Sequence, residues 1–225
     1  MKALQRLYFY LRAIPKTLLF NFYYLPLKQS LKLPIIVSHR VKIEKLSGNV
    51  ILKGKVRTGK IKIGFGKVQI ADPAKSRALW ALSHNGTITL HPRVKLGTGT
   101  KLDIRGSLEI GEGSNFTGET TIVCNHKISF GRSNLISWQT LFMDTDLHGI
   151  VDLNNDQTNP DQPIFIGDDV WICAKSTILK GVTINNNTVV SANSNVTKRF
   201  TDSDIIIGGN PAKVISSMKD KKFIH

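Results

Sequence analysis

The chain has 225 residues, with 31 Lys plus Arg against 16 Asp plus Glu, a net charge of +15. That length suits one domain with an appendage, and the excess of bases points to an anionic partner: nucleic acid, a membrane surface or a phosphorylated cofactor. The two cysteines, Cys124 and Cys173, have no metal-ligand or redox spacing, which excludes the usual cysteine-based chemistry and leaves small buried thiols in a reducing, cytoplasmic setting.

Residues 1–34 differ from the rest. Tyr8, Phe9, Tyr10, Phe20, Phe22, Tyr23 and Tyr24 crowd a stretch whose bases are Lys2, Arg6, Arg12, Lys16, Lys28 and Lys32, and no acid occurs before Glu44. No small-residue cleavage site follows a clean apolar run, so the segment makes a poor signal peptide. The longest uncharged run, Thr17–Leu27, is 11 residues, well short of the ~20 that a spanning helix needs. Aromatics, leucines and bases without acids describe a segment lying in an anionic membrane interface. The other reading is an amphipathic helix that caps the open end of the next domain or makes a subunit contact.

Residues 35–86 alternate apolar and polar positions with glycine breaks, as short irregular strands do; their lysines read as a solvated face. From Thr87 a six-residue spacing settles in. Leu90, Leu96 and Leu102 lie six apart. Ile104, Ile110, Phe116 and Ile122 follow in a phase shifted by two, and Phe130, Ile136 and Phe142 shift by two again. Each shift implies a bulge or a longer corner. The domain so marked runs over 87–200, with a C-terminal strand and tail over 201–225. Residues 149–163 are polar and rich in turn formers, and are expected to form a loop thrown out from the regular scaffold, where function concentrates.

Just before that loop stands LFMDTDLHGI, Leu141 to Ile150. In an extended strand Asp144, Asp146 and His148 would share one side. A carboxylate near an imidazole fixes its tautomer and favours the cation formed when it takes a proton. A histidine that fills an apolar repeat position is the plainer reading of the same residues.

The stretch from Ile164 to Phe200 gives the clearest pattern. Ile166, Ile172, Ile178, Ile184, Val190 and Val196 recur every sixth position, and four residues after each of the first five comes Val170, Ser176, Val182, Thr188 or Ser194. Six is neither a helical nor a simple strand period. It fits a unit of one short strand and one tight turn, stacked on its neighbours. Gly167-Asp168-Asp169, Lys180-Gly181, Asn185-Asn186-Asn187, Asn193 and Asn195 are residue types that tolerate left-handed backbone angles at such turns.

The phrase GDDVWICAKSTILKGVTI and the ending GGNPAKVI, Gly208 to Ile215, resemble the hexapeptide-repeat acyltransferases, and within them the sugar and polysaccharide O-acetyltransferases. The resemblance implies an all-β fold, a left-handed parallel β-helix with an N-terminal helical appendage, assembled as a homotrimer with sites between subunits. It implies acetyl-CoA as donor, a sugar or polysaccharide-precursor hydroxyl as acceptor, and no metal. His148 matches the family's general base, with Asp146 and Asp144 beside it. Asn125, Trp138 and Trp171 stand where acceptor-lining residues are expected. Ala174 and Ala192 match small residues along the pantetheine arm, and Thr197, Lys198, Arg199 and Lys213 offer groups for its phosphates. Cys173 replaces a family glycine, and Arg199 a family acid. His39, His84, His91 and His225 have no motif around them.

Three rivals are weaker. An aminosugar acceptor would give N-acylation through the same base. A γ-type carbonic anhydrase needs three zinc histidines, two of them close together, whereas His126 and His148 stand apart without a near partner. A non-enzymatic basic module for nucleic acid lacks a recognition motif. The expected location is cytoplasmic, with peripheral attachment to the inner face of the plasma membrane if residues 1–34 bind lipid.

Overall fold

A computed structural model describes residues 2–66, 68, 72 and 75–224; His225 lies outside the described residues. The chain winds into a three-sided column. The first coil is β1 (Ile35–Val37), β2 (Lys42–Leu46) and β3 (Asn49–Leu52), and the second β4 (Ile61–Ile63), β5 (Leu79–Leu82) and β6 (Thr87–Leu90). The third is β7 (Lys95–Thr98), β8 (Lys101–Ile104) and β9 (Ser107–Ile110), and the fourth β10 (Asn115–Gly118), β11 (Thr121–Cys124) and β12 (Lys127–Phe130). The fifth is β13 (Leu135–Ile136), β14 (Leu141–Met143) and β15 (Ile164–Ile166), and the sixth β16 (Trp171–Ile172), β17 (Thr177–Leu179) and β18 (Thr183–Ile184). Then come β19 (Val189–Val190) and β20 (Asn195–Val196), closed by a bridge from Phe200 to Ile184, and an antiparallel pair, β21 (Ile205–Gly209) and β22 (Ala212–Ser217), finishes the column.

Every third strand pairs in parallel, so β1, β4, β7 and their successors form a first face, β2, β5, β8 a second, and β3, β6, β9 a third. This is the left-handed parallel β-helix that the resemblance implies. Backbone hydrogen bonds run from coil to coil, which satisfies the polar main chain of very short strands.

The register explains the shifting phase. Leu96 pairs with Phe116 and Phe116 with Ile136, so these coils take 20 residues; Ile172 pairs with Val190, a coil of 18. The extra two residues lie on the second and third faces, where Leu102 with Ile104 and Leu108 with Ile110 all point inward. Four-residue strands, not bulges, take up the shift. Left-handed φ falls on Asp169, Lys175, Gly181, Asn187 and Asn193, again six apart. Asn195, expected at a turn, lies in β20 instead.

Residues 35–86 are more regular than expected. They form the first coil and most of the second, in register with the later coils: Ile35 pairs with Ile61, and Trp80 with Leu102. The long connection between β4 and β5 spoils the count without spoiling the coil. Inside, aliphatic columns run the length of the molecule, and Phe116, Phe130 and Phe142 stack edge-to-face at 5.0 and 4.9 Å, a favoured aromatic geometry.

The first coil would leave Ile35 and Val37 with unpaired backbone groups and an open apolar end. α1 (Lys2–Tyr24) and the short α2 (Leu27–Ser30) close it. The Asn21 amide donates to Ile35 O (2.7 Å) and accepts from Ile35 N–H (3.2 Å), and Thr17 Oγ1 accepts from Val37 N–H (3.0 Å). Phe20 is fully buried, edge-on to Trp80 at 4.7 Å. Tyr24 donates to Ser47 O at 3.0 Å. Capping therefore accounts for the inward face of residues 1–34.

Candidate functional site

The three faces meet at three corners, and the expected site residues divide between two of them. The turns from the second to the third face carry Arg105, Asn125, the long excursion and, above it, Lys180 and then Thr197, Lys198 and Arg199. We call this the excursion corner. The turns from the first to the second face carry Trp138, Ala174 and Ala192 directly above one another: Lys175 N–H donates to Trp138 O (3.0 Å) and Asn193 N–H to Ala174 O (2.9 Å). This is the alanine corner.

The excursion leaves the coil at Asp144, five residues before the loop expected over 149–163, and returns at Ile164. Because β14 ends at Met143, the strand that would align Asp144, Asp146 and His148 does not exist. Their roles separate. Asp144 is fully buried, and its carboxylate accepts from Asn125 N–H (2.7 Å) and His126 N–H (3.0 Å), staking the excursion to the coil below. Burial and this carboxylate push the Cys124 thiol far up, so it stays protonated and unreactive.

Asp146 is exposed and ion-paired with Lys180. The bond from Lys180, then the one from Asn159, holds its carboxyl below the usual carboxylate range. His148 is exposed, which removes the core-filling reading of this residue. No hydrogen bond joins its ring to Asp144 or Asp146 among the described residues. What fixes it is its backbone: Asn159 Nδ2 donates to His148 O (2.9 Å) and to Asp146 Oδ2 (2.8 Å). A hairpin-like tip follows, bridged at Val151 and Gln157, with Ile150, Val151 and Leu153 exposed.

His148 lines a cleft of about 170 Å³ with Arg105, Asn125, Thr145, Gln157, Asn159 and Asp161. The Asn125 amide donates to Asp161 across it. The volume is below the roughly 300–1,000 Å³ of a complete ligand pocket, so this wall is one side of a site. Lys198 and Arg199 are exposed on the same corner, with Arg199 Nε donating to Gly181 O (3.3 Å).

Trp138, Ala174 and Ala192 lie across the second face from His148, and the structure does not bring them to it within one chain. Trp171 sits in β16, its indole N–H donating to Ser137 Oγ (3.2 Å) and its ring 6.0 Å from Phe223. Lys213 projects from β22. A further cleft, of about 290 Å³, lies at the third corner between Asp169, Asn187, Lys222 and Phe223 and holds none of the expected site residues. Sequence reasoning missed Lys180, Asn159 and Asp161. Lys180 had a signal, since it stands 18 residues before Lys198, one coil below it.

The model of the bacterial transferase hexapeptide (six repeats) matches residues 163–198. The chain is 27% identical over 156 residues to a protein of Escherichia coli (strain K12) named, provisionally, a lipopolysaccharide biosynthesis O-acetyl transferase; the match covers 64% of this chain and 76% of that one. In structure it is similar to the polySia specific acetyltransferase NeuO, with a TM-score of 0.62 at 19% identity over 82% of this chain and 72% of that one. It is also similar to the polysialic acid O-acetyltransferase OatWY, with a TM-score of 0.51 at 23% identity over 83% and 88%. At these identities the two structures speak for the fold. Among the described residues, no helix is long and apolar enough to cross a membrane.

Proposed function

We propose that the protein is an acetyl-CoA-dependent O-acetyltransferase that modifies a sugar hydroxyl of a cell-surface polysaccharide or its precursor; the match of residues 163–198 to the bacterial transferase hexapeptide model supports this reading. The observation that carries the reading is His148, exposed at the rim of a polar cleft and below the cations of the excursion corner. The relative named for lipopolysaccharide O-acetylation supports the substrate class.

In this reading His148 takes the proton of the acceptor hydroxyl, and the oxygen attacks the thioester carbonyl. The tetrahedral intermediate collapses with loss of the coenzyme A thiolate, which recovers the proton from the imidazolium. Imidazole suits a base that must work near neutral pH. Asp146 is not the orienting carboxylate; with Asn159 and Lys180 it holds the backbone that carries His148. Asn125 and Asp161 offer donors and acceptors to sugar hydroxyls. Lys198 and Arg199 offer charge to the donor phosphates, and Ala174 and Ala192 leave room for a thin arm against the main chain.

The alanine corner and the excursion corner belong to opposite edges of one face. A donor slot on one and a base on the other meet only when two chains abut, and repetition of such a contact between unlike surfaces closes a ring. The homotrimer is its expected form. The exposed Ile150, Val151 and Leu153 at the excursion tip suit burial against a neighbour.

The test is acetyl transfer from acetyl-CoA to a panel of sugars, with the purified full chain. His148→Ala is expected to lower kcat by ~10²–10⁴-fold at unchanged melting temperature, since its side chain is exposed. Ala192→Trp should block the donor slot. Co-expressing the two dead variants should restore about a quarter of the activity, because one contact in four then joins two intact halves. Failure of the mixture removes the shared site; full activity of His148→Ala removes the base.

A further inference from the structure

The inward face of α1 is used up by capping, yet its outward face is apolar as well. Leu4, Leu7, Leu11, Ile14, Leu18 and Phe22 recur at helical spacing along it, each between 41% and 74% exposed. Tyr8, Leu19, Leu27 and Leu31 widen the stripe, with the last two over 60% exposed, whereas Tyr23, also half exposed, donates to Leu46 O (2.8 Å) and belongs in part to the cap. A helix of 23 residues is about 34 Å long, so the stripe is a contiguous apolar patch of the kind that marks an interaction site. Nothing in the cap requires it.

Charge selects the occupant. Arg6, Arg12, Lys28 and Lys32 are exposed around the stripe, and the chain has no carboxylate side chain before Glu44. Lys16 is not one of these exposed cations: its ammonium is spent on His39 O and Val41 O at the cap. A second copy of this face would set base against base with no acid to answer them. Phosphate headgroups over hydrocarbon answer both features together.

We propose that the outward face of α1 docks on an anionic bilayer surface, lying in its plane while the other face closes the β-helix. The two readings of residues 1–34 thus hold at once, one on each side of a single helix. The proposal does not rest on the acetyl-transfer reading.

Removing the segment is a poor test, since it would also uncap the core. Substitutions on the outward face are better, because Leu11 and Leu18 are exposed, at 55% and 41%. The full chain is mixed with vesicles of phosphatidylcholine, with or without phosphatidylglycerol, and sedimented. It should bind the anionic vesicles, and added salt should weaken binding. The double variant Leu11→Glu/Leu18→Glu should abolish it, and Arg6→Gln and Lys28→Gln should each weaken it about five-fold. Melting temperature should stay at the parent value in all of them. Absence of vesicle binding by the parent at low salt overturns the proposal. So does loss of an oligomer, seen by sedimentation velocity without lipid, in Leu11→Glu/Leu18→Glu, which would assign the face to a second copy.

Discussion

Lys180 and Asp146 form an ion pair that ties the excursion to the coil above it. The same ammonium donates to Asn159 O at 3.0 Å, on the returning limb of the excursion. Asn159 in turn holds both Asp146 and the carbonyl of His148. One lysine thereby clamps both limbs and, through one amide, the backbone of the proposed base.

Lys180→Ala should therefore lower kcat/KM without removing any group that touches substrate. Misplacement of a base by an ångström costs up to ~10²-fold, and a loss of that order is expected. Protease cleavage within 144–163 should speed up in the same variant, and Lys180→Arg should recover much of both. Unchanged cleavage together with unchanged kcat/KM would show the clamp to be idle.

The clamp should also respond to acid. The Asp146 carboxyl is lowered when folded, so its contribution is complete above the unfolded carboxylate value, near ~3.9, and is lost as pH falls through the folded value. Hydrogen exchange of the 144–163 amides, corrected for intrinsic rates, should stay flat from neutral pH to about 4 and rise below it. Asp146→Asn should show faster exchange throughout and no step. A step of the same size in that variant would assign the effect to another acid.

Lys198→Ala and Arg199→Ala should raise the KM for acetyl-CoA more than that for the acceptor, because a phosphate contact contributes mainly uniform binding. The difference should shrink for a donor that lacks the 3′-phosphate. Both side chains are exposed, so folding should be unaffected. Equal losses with both donors would take these residues off the phosphate site.

The cap should be worth much of the stability of the first coil. Phe20→Ala removes a fully buried ring from Trp80 and should cost about 3–5 kcal/mol in chemical unfolding. Asn21→Ala leaves Ile35 N–H and C=O without partners and should cost about 1–3 kcal/mol. Leu18→Ala, on the outer face, should fall within about ±0.5 kcal/mol. Similar losses at all three would mean that the outer face is buried too.

The coil was legible from Ile164 onward because turn and core positions there share one period, and each left-handed φ lands where the sequence repeats. It was hidden in residues 35–86 because the long connection after β4 breaks the count while leaving the pairing of Ile63 with Leu96 intact. The proposed base was legible as a residue but not as a geometry. Alternation in LFMDTDLHGI suggested three side chains on one side, whereas the strand stops at Met143 and buries Asp144. Lys180 looked like turn chemistry, since its meeting with Asp146 depends on two coils joined by a detour. The division of Trp138, Ala174 and Ala192 from His148 needed the assignment of each turn to a corner. Residues 1–34 resisted because composition sums over a helix with one buried and one exposed apolar face.

Coil number also sets a height. The cap closes the first coil and the excursion leaves the fifth, so four strand spacings of about 4.8 Å separate them. With α1, itself about 10 Å across, lying between the first coil and a bilayer, the His148 cleft would stand on the order of 30 Å above that bilayer. An acceptor anchored in that bilayer has to carry its hydroxyl across this gap, so short lipid-linked saccharides would pass beneath the cleft and longer ones would reach it. The stack of repeats would then act as a gauge of chain length, selecting how far a glycan must have grown before it is acetylated.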